Sequence, residues 1–317
     1  MTSTFLRPFH SLRRIWGLFT ILALLAAGSA QAAIPASQRQ YLLDLYAATG
    51  GPNWIDNTGW GGGAGTECNW YGVTCDVGAT TITELHLSSN HLGNPVGVSV
   101  PDWAALPDLQ QIALGNNQLT GPAPAIASLA QLQDLNLAVN QFTGGLPAPA
   151  GLQHLDAYNV NANQFSGSIP VLSSLPALTR FTARDNQLTG SIPTLTGVPS
   201  LQMLALQNNQ LTGGIPALPP GLLWLRVGNN QLTGPVPAAP NSLDAGDSHL
   251  CPNYLAPSNS PAWDAATGET PWYDNCTIAP PGLGGATAVP TLGEAVMALL
   301  SLAAATLGFA ALRRRQV

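Results

Sequence analysis

One pattern, L-x-x-L-x-L-x-x-N-x-L-x-G-x-I-P, returns seven times along the chain and limits its fold more than any other feature. The asparagines of the pattern are separated by 27, 23, 23, 23, 23 and 21 residues. The alternation of leucines predicts a short strand with leucines on one side and variable residues on the other. A single repeat cannot bury its leucines, so the repeats are predicted to stack into a solenoid with a parallel β-sheet on its concave side.

The asparagine of each repeat follows the strand, where the chain turns and leaves backbone groups away from water. An asparagine amide has two donor hydrogens and an acceptor oxygen, so a stacked column can satisfy backbone groups of its own coil and of the next. We therefore predict a structural asparagine ladder. Its members are Asn90, Asn117, Asn140, Asn163, Asn186, Asn209 and Asn230.

The repeats resemble the plant-type, extracellular class of leucine-rich repeats, whose hallmark L-x-G-x-I-P stands here as LTGSIP at residues 188–193. The resemblance implies an α/β solenoid, a leucine-rich-repeat arc of about seven repeats at residues 82–242. Two repeats depart from the pattern. Tyr158 and Val160 take inward strand positions in the fourth repeat, and GNPVGVSV lengthens the first, so local irregularity is expected in both.

Caps are expected at both ends of the arc, at residues 33–81 and 243–278. The segments CNWYGVTC and HLCPNY look like the caps of the same class. Four cysteines allow three pairings, and the long repetitive stretch between them favours the local pairs Cys68–Cys75 and Cys251–Cys276. A zinc site is the alternative, although no histidine has suitable spacing.

The N-terminal cap is predicted to contain a helix that starts with a capping box of Ser37 and Gln40 and stops at Gly50. This helix and several aromatic residues are expected to seal the open end of the core. Sugar stacking is the alternative role of these aromatic residues. In the two caps they are Trp54, Trp60, Trp70, Tyr71, Trp263, Trp272 and Tyr273.

Both ends of the chain carry targeting features. Residues 1–32 combine three arginines, an apolar run and small residues ending at Ala32, which predicts a secretory signal peptide. Residues 295–312 lack charge and precede three arginines, which predicts a membrane span with the bulk of the chain outside the cell. A buried core helix is the alternative. The glycine- and proline-rich residues 279–288 predict a flexible linker.

The segment at residues 289–317 resembles a bacterial sorting signal that begins Ile-Pro-Thr-Leu and is read by an exosortase-type enzyme. The motif here is Val289, Pro290, Thr291 and Leu292. The resemblance implies a Gram-negative cell envelope, membrane anchoring through the C-terminal helix, and cleavage near Pro290 that releases the protein to the surface or extracellular matrix. A permanent single-pass anchor is the alternative.

Residues 33–291 contain four arginines, no lysine and 15 acidic residues, and this net charge of −11 disfavours nucleic acid as a partner. Three of these arginines fall two, four or six positions before a ladder asparagine, where side chains should project from the concave sheet. With neighbouring apolar and amide residues they predict a ligand-binding patch, since arginine and aromatic residues dominate binding hot spots. The patch comprises Arg180, Arg184, Met203, Gln207, Trp224 and Arg226. The alternative is that the arginines pair with residues such as Asp185 and that Trp224 shields the last strands.

The sequence contains no G-x-S-x-G, no H-E-x-x-H and no phosphate-binding loop ending in lysine, so no catalytic site, metal or cofactor is expected. We therefore predict a non-catalytic surface module that recognises a protein or polysaccharide through its concave face. The alternative is a structural or adhesive component of the extracellular matrix without one defined ligand.

Overall fold

The computed structural model describes residues 34–95 and 97–276. The predicted signal peptide, the linker at 279–288 and the sorting segment with its membrane span at 295–312 lie outside these residues. Within the described ranges no helix has the length and apolar character needed to cross a bilayer.

The described part of the chain contains two α-helices and 15 short strands. The helices are α1 (Ala36–Ala48) and α2 (Pro261–Thr267), and 3-10 turns cover Gly51–Asn53, Glu67–Asn69 and Trp103–Ala105. In chain order the strands are β1 (Val73–Cys75), β2 (Ile82–His86), β3 (Gln111–Ala113), β4 (Thr120–Pro122), β5 (Asp134–Asn136), β6 (Gln141–Gly144), β7 (Ala157–Asn159), β8 (Gln164–Ser168), β9 (Arg180–Thr182), β10 (Gln187–Thr189), β11 (Met203–Ala205), β12 (Thr212–Gly213), β13 (Trp224–Arg226), β14 (Gln231–Pro235) and β15 (Tyr254–Ala256).

The concave sheet has eight strands in the order β1-β2-β3-β5-β7-β9-β11-β13. Strand β1 pairs antiparallel with β2, and the seven strands from β2 onward run parallel, one from each repeat. The protein is therefore a β-solenoid of about seven turns, as the repeats predicted. The α/β class needs correction, because α1 and α2 both lie in the caps. Each repeat returns through a short segment with a proline, which disfavours helix.

A second layer of parallel strands lies on the other side of the core. Strands β4, β6, β8 and β10 form one sheet, and β12, β14 and β15 form another. A bridge between Ser191 and Thr212 links the two sheets. The repeat leucines between the layers are buried, and Phe142 stacks on Phe165 with ring centroids 6.0 Å apart. In the irregular fourth repeat Tyr158 is fully buried, and its hydroxyl donates to the Pro147 carbonyl at 2.9 Å.

The amides of the predicted ladder link successive coils. Asn163 illustrates the arrangement: its Oδ1 accepts from the Phe142 N–H at 3.0 Å, and its Nδ2 donates to the Leu137 carbonyl of the preceding coil at 3.0 Å. Asn140, Asn186, Asn209 and Asn230 make the equivalent pair of contacts. These amides satisfy backbone groups that the sharp turns leave in the interior.

The structure adds an eighth asparagine of this type. The Oδ1 of Asn253 accepts from the Leu232 N–H at 2.9 Å, and its Nδ2 donates to the Val227 carbonyl at 2.9 Å. The segment Leu250 to Asn253 keeps the L-x-x-N spacing, 23 residues after Asn230. A shortened eighth coil therefore begins the region that the sequence assigned wholly to the C-terminal cap.

The N-terminal cap closes the first coil with α1 and a cluster of aromatic rings. The predicted capping box is wrong, because the helix begins at Ala36 with Pro35 at the N-cap and no side-chain cap. Gln40 instead donates to Asp44. The side chains of Trp54, Trp60 and Trp70 are at most 9% exposed. Their burial supports sealing of the core by these residues, while Tyr71 is exposed.

Disulfide bonds join Cys68 to Cys75 and Cys251 to Cys276. The second bond holds the chain beyond α2 against the last coils. Trp263 and Trp272 are almost fully buried there, and their indole N–H groups donate to the Pro237 and Ser258 carbonyls at 2.9 and 2.8 Å. Both ends of the core are thus covered by tryptophans.

Candidate functional site

The concave sheet brings four of the predicted patch residues together. Arg180 on β9, Met203 on β11 and Trp224 on β13 lie side by side in register. Arg226 also lies on β13, with its guanidinium 5.9 Å from the centroid of the Trp224 ring. Arg184 and Gln207 follow the ends of β9 and β11, at the edge of this group.

Each of the three arginines has an acidic partner within the protein. The distances are 3.0 Å from Arg180 to Asp156, 3.6 Å from Arg184 to Asp185 and 3.4 Å from Arg226 to Asp247. The pair with Asp185 is the one that the alternative interpretation named. These half-exposed pairs are weak, but they compensate the positive charge on which the predicted patch depended.

Trp224 is also engaged within the protein. Its indole N–H donates to the Asp244 carboxylate at 2.7 Å. Asp156, Asp244 and Asp247 were not among the predicted site residues, because each of them lies in the coil before or after its partner. Only the register between coils brings them to the arginines and the tryptophan.

A cavity of about 320 Å³ lies on the concave face over β5, β7, β9 and β11. Its lining residues are Asp134, Asn136, Ala157, Tyr158, Asn159, Asn161, Arg180, Thr182 and Met203. The depression exists because the short side chain of Ala157 lies between the longer side chains of Asp134 and Arg180, its partners on β5 and β9. It shares Arg180 and Met203 with the predicted patch, and it is centred nearer the N-terminus.

Three asparagines in the cavity have their oxygens occupied and their NH₂ groups free. Asn136 Oδ1 accepts from the Ala138 N–H at 3.1 Å, Asn159 Oδ1 from the Thr182 hydroxyl at 3.0 Å, and Asn161 Oδ1 from the Arg184 N–H at 2.9 Å. A backbone N–H can only donate, which fixes the oxygens of Asn136 and Asn161. Within the described residues their three Nδ2 groups have no partner. The cavity therefore presents hydrogen-bond donors on neighbouring strands.

Asp134 supplies the complementary acceptor at the edge of the cavity. Burial raises the pKa of its carboxyl, with Asp156 adding to the rise, while Arg180 and His86 oppose it. Within the described ranges its carboxylate accepts no hydrogen bond. An incoming N–H, hydroxyl or ammonium group would supply the missing partner.

The described residues contain no free thiol and no metal-binding cluster. All four cysteines are in disulfides, and no group of three or more His, Cys, Asp or Glu side chains in the described part of the chain could hold a metal ion. His86 lies 2.9 Å from Glu84 on the same strand. The arrangement suits reversible binding through many hydrogen bonds.

A family profile for the IPTL-CTERM motif matches residues 287–315. The described fold is similar to the LRR ectodomain of the plant membrane receptor kinase GASSHO1/SCHENGEN3 from Arabidopsis thaliana, crystallised in complex with CASPARIAN STRIP INTEGRITY FACTOR 2. The TM-score is 0.52 at 26% identity, covering 69% of this chain and 30% of that one.

Two further structures share the fold at lower identity. The PEPR1–AtPEP1 structure has a TM-score of 0.54 at 23% identity, covering 74% of this chain and 37% of that one. A plant ice-binding protein has a TM-score of 0.51 at 20% identity, covering 81% and 100%. This chain thus spans about a third of the length of the two receptor chains. Its repeats, its solenoid and its C-terminal match together support a leucine-rich-repeat protein with an IPTL-CTERM sorting motif.

Proposed function

We propose that this protein is an exported, non-catalytic binding module that takes a protein or glycan ligand on its concave face. The observation that carries the proposal is the cavity over β7, where three free amide donors lie beside the unpaired carboxylate of Asp134. These groups are half-buried and have no partner within the described residues, so a ligand that pairs with all of them gains orientation and specificity.

An extended peptide segment of a protein partner suits this cavity better than a sugar. Backbone carbonyls of an extended chain offer acceptors along its whole length, and the cavity presents donors on neighbouring strands about 4.8 Å apart. A backbone or terminal N–H group would pair with Asp134. A short oligosaccharide confined to this cavity cannot gain affinity from repeated contacts and usually needs an aromatic face, and the one aromatic lining residue, Tyr158, is fully buried. The Arabidopsis ectodomain, whose structure includes a bound factor, supports this choice by analogy.

Selection from a displayed library of random peptides tests the proposal. The full-length protein is immobilised, and enriched peptides are measured again on three variants. Ala157→Trp fills the cavity, and Asp134→Asn removes the charge of the unpaired acceptor. Ala256→Trp is the matched control, because it places the same side chain at an exposed position of β15, which does not belong to the concave sheet.

We expect enrichment of a peptide family whose affinity falls at least tenfold, about 1.4 kcal/mol, on Ala157→Trp and Asp134→Asn and stays unchanged on Ala256→Trp. Circular dichroism melting shows whether each variant keeps the fold. Equal binding to all four proteins would place the site elsewhere. Failure to enrich any peptide would favour the second candidate function, a structural or adhesive matrix component.

The tail supports a proposal about localisation. We infer that an exosortase-type enzyme reads Val289 to Leu292, that residues 295–312 anchor the protein in the membrane until then, and that the protein is delivered to the cell surface or matrix. Intact-mass analysis of released protein from cells with the enzyme should show a C-terminus near Pro290. Pro290→Ala should leave the tail attached, and an unchanged mass profile would refute this role for the motif.

A further inference from the structure

The second layer of strands presents a regular polar surface that the concave site does not use. Each of the six repeats after the first contributes one glutamine directly after its ladder asparagine and one threonine or serine two residues later. We call this surface the glutamine–threonine face. Its members are Gln118, Thr120, Gln141, Thr143, Gln164, Ser166, Gln187, Thr189, Gln210, Thr212, Gln231 and Thr233.

The face points to solvent because the residue between each glutamine and hydroxyl points into the core. In β6, for example, Gln141 and Thr143 are exposed while Phe142 is buried. Ten of the twelve side chains are exposed, and Thr120 and Ser166 are half-buried. Within the described residues only Thr120 has a side-chain partner, Asn94 at 3.1 Å. The amides and hydroxyls of the other eleven are free to bind a ligand.

The register between strands makes the array periodic. Thr143 lies opposite Gln164, Ser166 opposite Gln187, and Thr212 opposite Gln231. A hydroxyl therefore stands beside an amide at each step along the solenoid. With strands about 4.8 Å apart, the seven strands from β4 to β15 extend about 29 Å. A linear polymer lying across them could make equivalent contacts many times over.

The composition of the face excludes several classes of partner. None of the strands β4, β6, β8, β10, β12, β14 and β15 contains a charged residue, so it offers nothing to nucleic acid or anionic lipid. It also lacks tryptophan, methionine and arginine, the residues that anchor protein interfaces. Phe142 and Phe165 on these strands are buried in the core, and Tyr254 at the end of the face is the one aromatic residue there that is not fully buried. The class of partner that remains is an uncharged polymer rich in hydroxyl groups. Its hydroxyls both donate and accept hydrogen bonds, as the glutamine amides do.

We infer that the glutamine–threonine face binds an uncharged polysaccharide, separately from the concave ligand. Each contact is weak and exposed to water. Repetition along the polymer converts these contacts into useful avidity, because contacts after the first form at high effective concentration. Contacts without ions should also be insensitive to salt.

Depletion of the full-length protein from solution tests the inference. The probes are microcrystalline cellulose, an insoluble β-1,3-glucan and starch granules, with an acidic alginate gel as the charged comparison. The test variant carries Gln141→Ala, Gln164→Ala, Gln187→Ala and Gln210→Ala. The matched control carries the same change at exposed glutamines off the face, namely Gln131, Gln133, Gln153 and Gln202.

We expect at least one neutral glucan to retain the wild type and the control variant at both low and high salt, and to bind the test variant at least about tenfold more weakly. Melting curves show that both variants remain folded. The inference is overturned if none of the three neutral glucans retains the protein, whether or not the protein binds alginate or adsorbs to ice crystals. It is also overturned if both variants lose retention equally. Ala157→Trp should leave glucan retention unchanged, which separates this outcome from the fate of the concave site.

Discussion

The asparagine ladder allows a mutational effect to be worked out atom by atom. In Asn163→Ala the three carbonyls that accept from Nδ2 each keep another donor. Leu137 keeps Asn140 Nδ2 at 3.1 Å, Val160 keeps Asn186 Nδ2 at 3.0 Å, and Asn161 keeps the Val139 N–H at 2.8 Å. The Phe142 N–H loses its one partner, Asn163 Oδ1 at 3.0 Å.

One orphaned buried N–H costs about 1–3 kcal/mol. For a domain of this size that cost lowers the melting temperature by roughly 2–12 °C, at about 2–4 °C per kcal/mol. Thermal melting followed by circular dichroism measures the effect. Gln164→Ala, the neighbouring exposed residue without a partner, is the control and should change the melting temperature by less than about 2 °C, as surface substitutions usually do. Equal melting of the two variants would refute the reasoning about the ladder.

Three further predictions concern stability. Val139 has a left-handed φ of 57°, and three other coils have asparagine at the equivalent position. Val139→Asn should therefore raise the free energy of unfolding by about 1 kcal/mol in a denaturant titration. No gain would mean that the turn carries no strain. Replacing Cys251–Cys276 by serines should cost about 3.5 kcal/mol and replacing Cys68–Cys75 about 2.5 kcal/mol, because their separations are 25 and 7 residues; the reverse order of melting temperatures would contradict this. Because the pKa of Asp134 is raised in the folded protein, its carboxyl holds a proton more tightly there than in the unfolded chain, and stability is lost as the pH rises above 3.8. Asp134→Asn should therefore be more stable than the wild type at pH 7 and equal to it at pH 3.

The repeat period was enough to predict the solenoid, because the leucines and asparagines recur at spacings that only stacked coils can use. The sequence did not predict the role of a residue where that role depends on contacts with a different coil. Asn253 was not predicted as a ladder residue, because Cys251 and Pro252 lie between it and Leu250 and made the segment look like a cap. The predicted start of α1 was also wrong, because the N-cap residue is Pro35 and not Ser37.

The candidate site shows the same limit. Counting back from the ladder identified Arg180 and Met203 on the concave face, and both line the cavity. Spacing within a repeat cannot show that Asp156 pairs with Arg180, nor that the short side chain of Ala157 leaves space between its neighbours. Both facts depend on the register between strands and on relative side-chain lengths across three coils. A search for small residues among the outward strand positions would have found the depression.

The concave binding site is the central claim, and hydrogen–deuterium exchange of the full-length protein tests it most directly. Exchange is measured with and without a peptide enriched from the displayed library. The account predicts slower exchange confined to the strands and turns at residues 134–139, 157–162 and 180–185, around the cavity. Protection confined to the N-terminal cap at residues 34–81, or to the glutamine–threonine face, would contradict it.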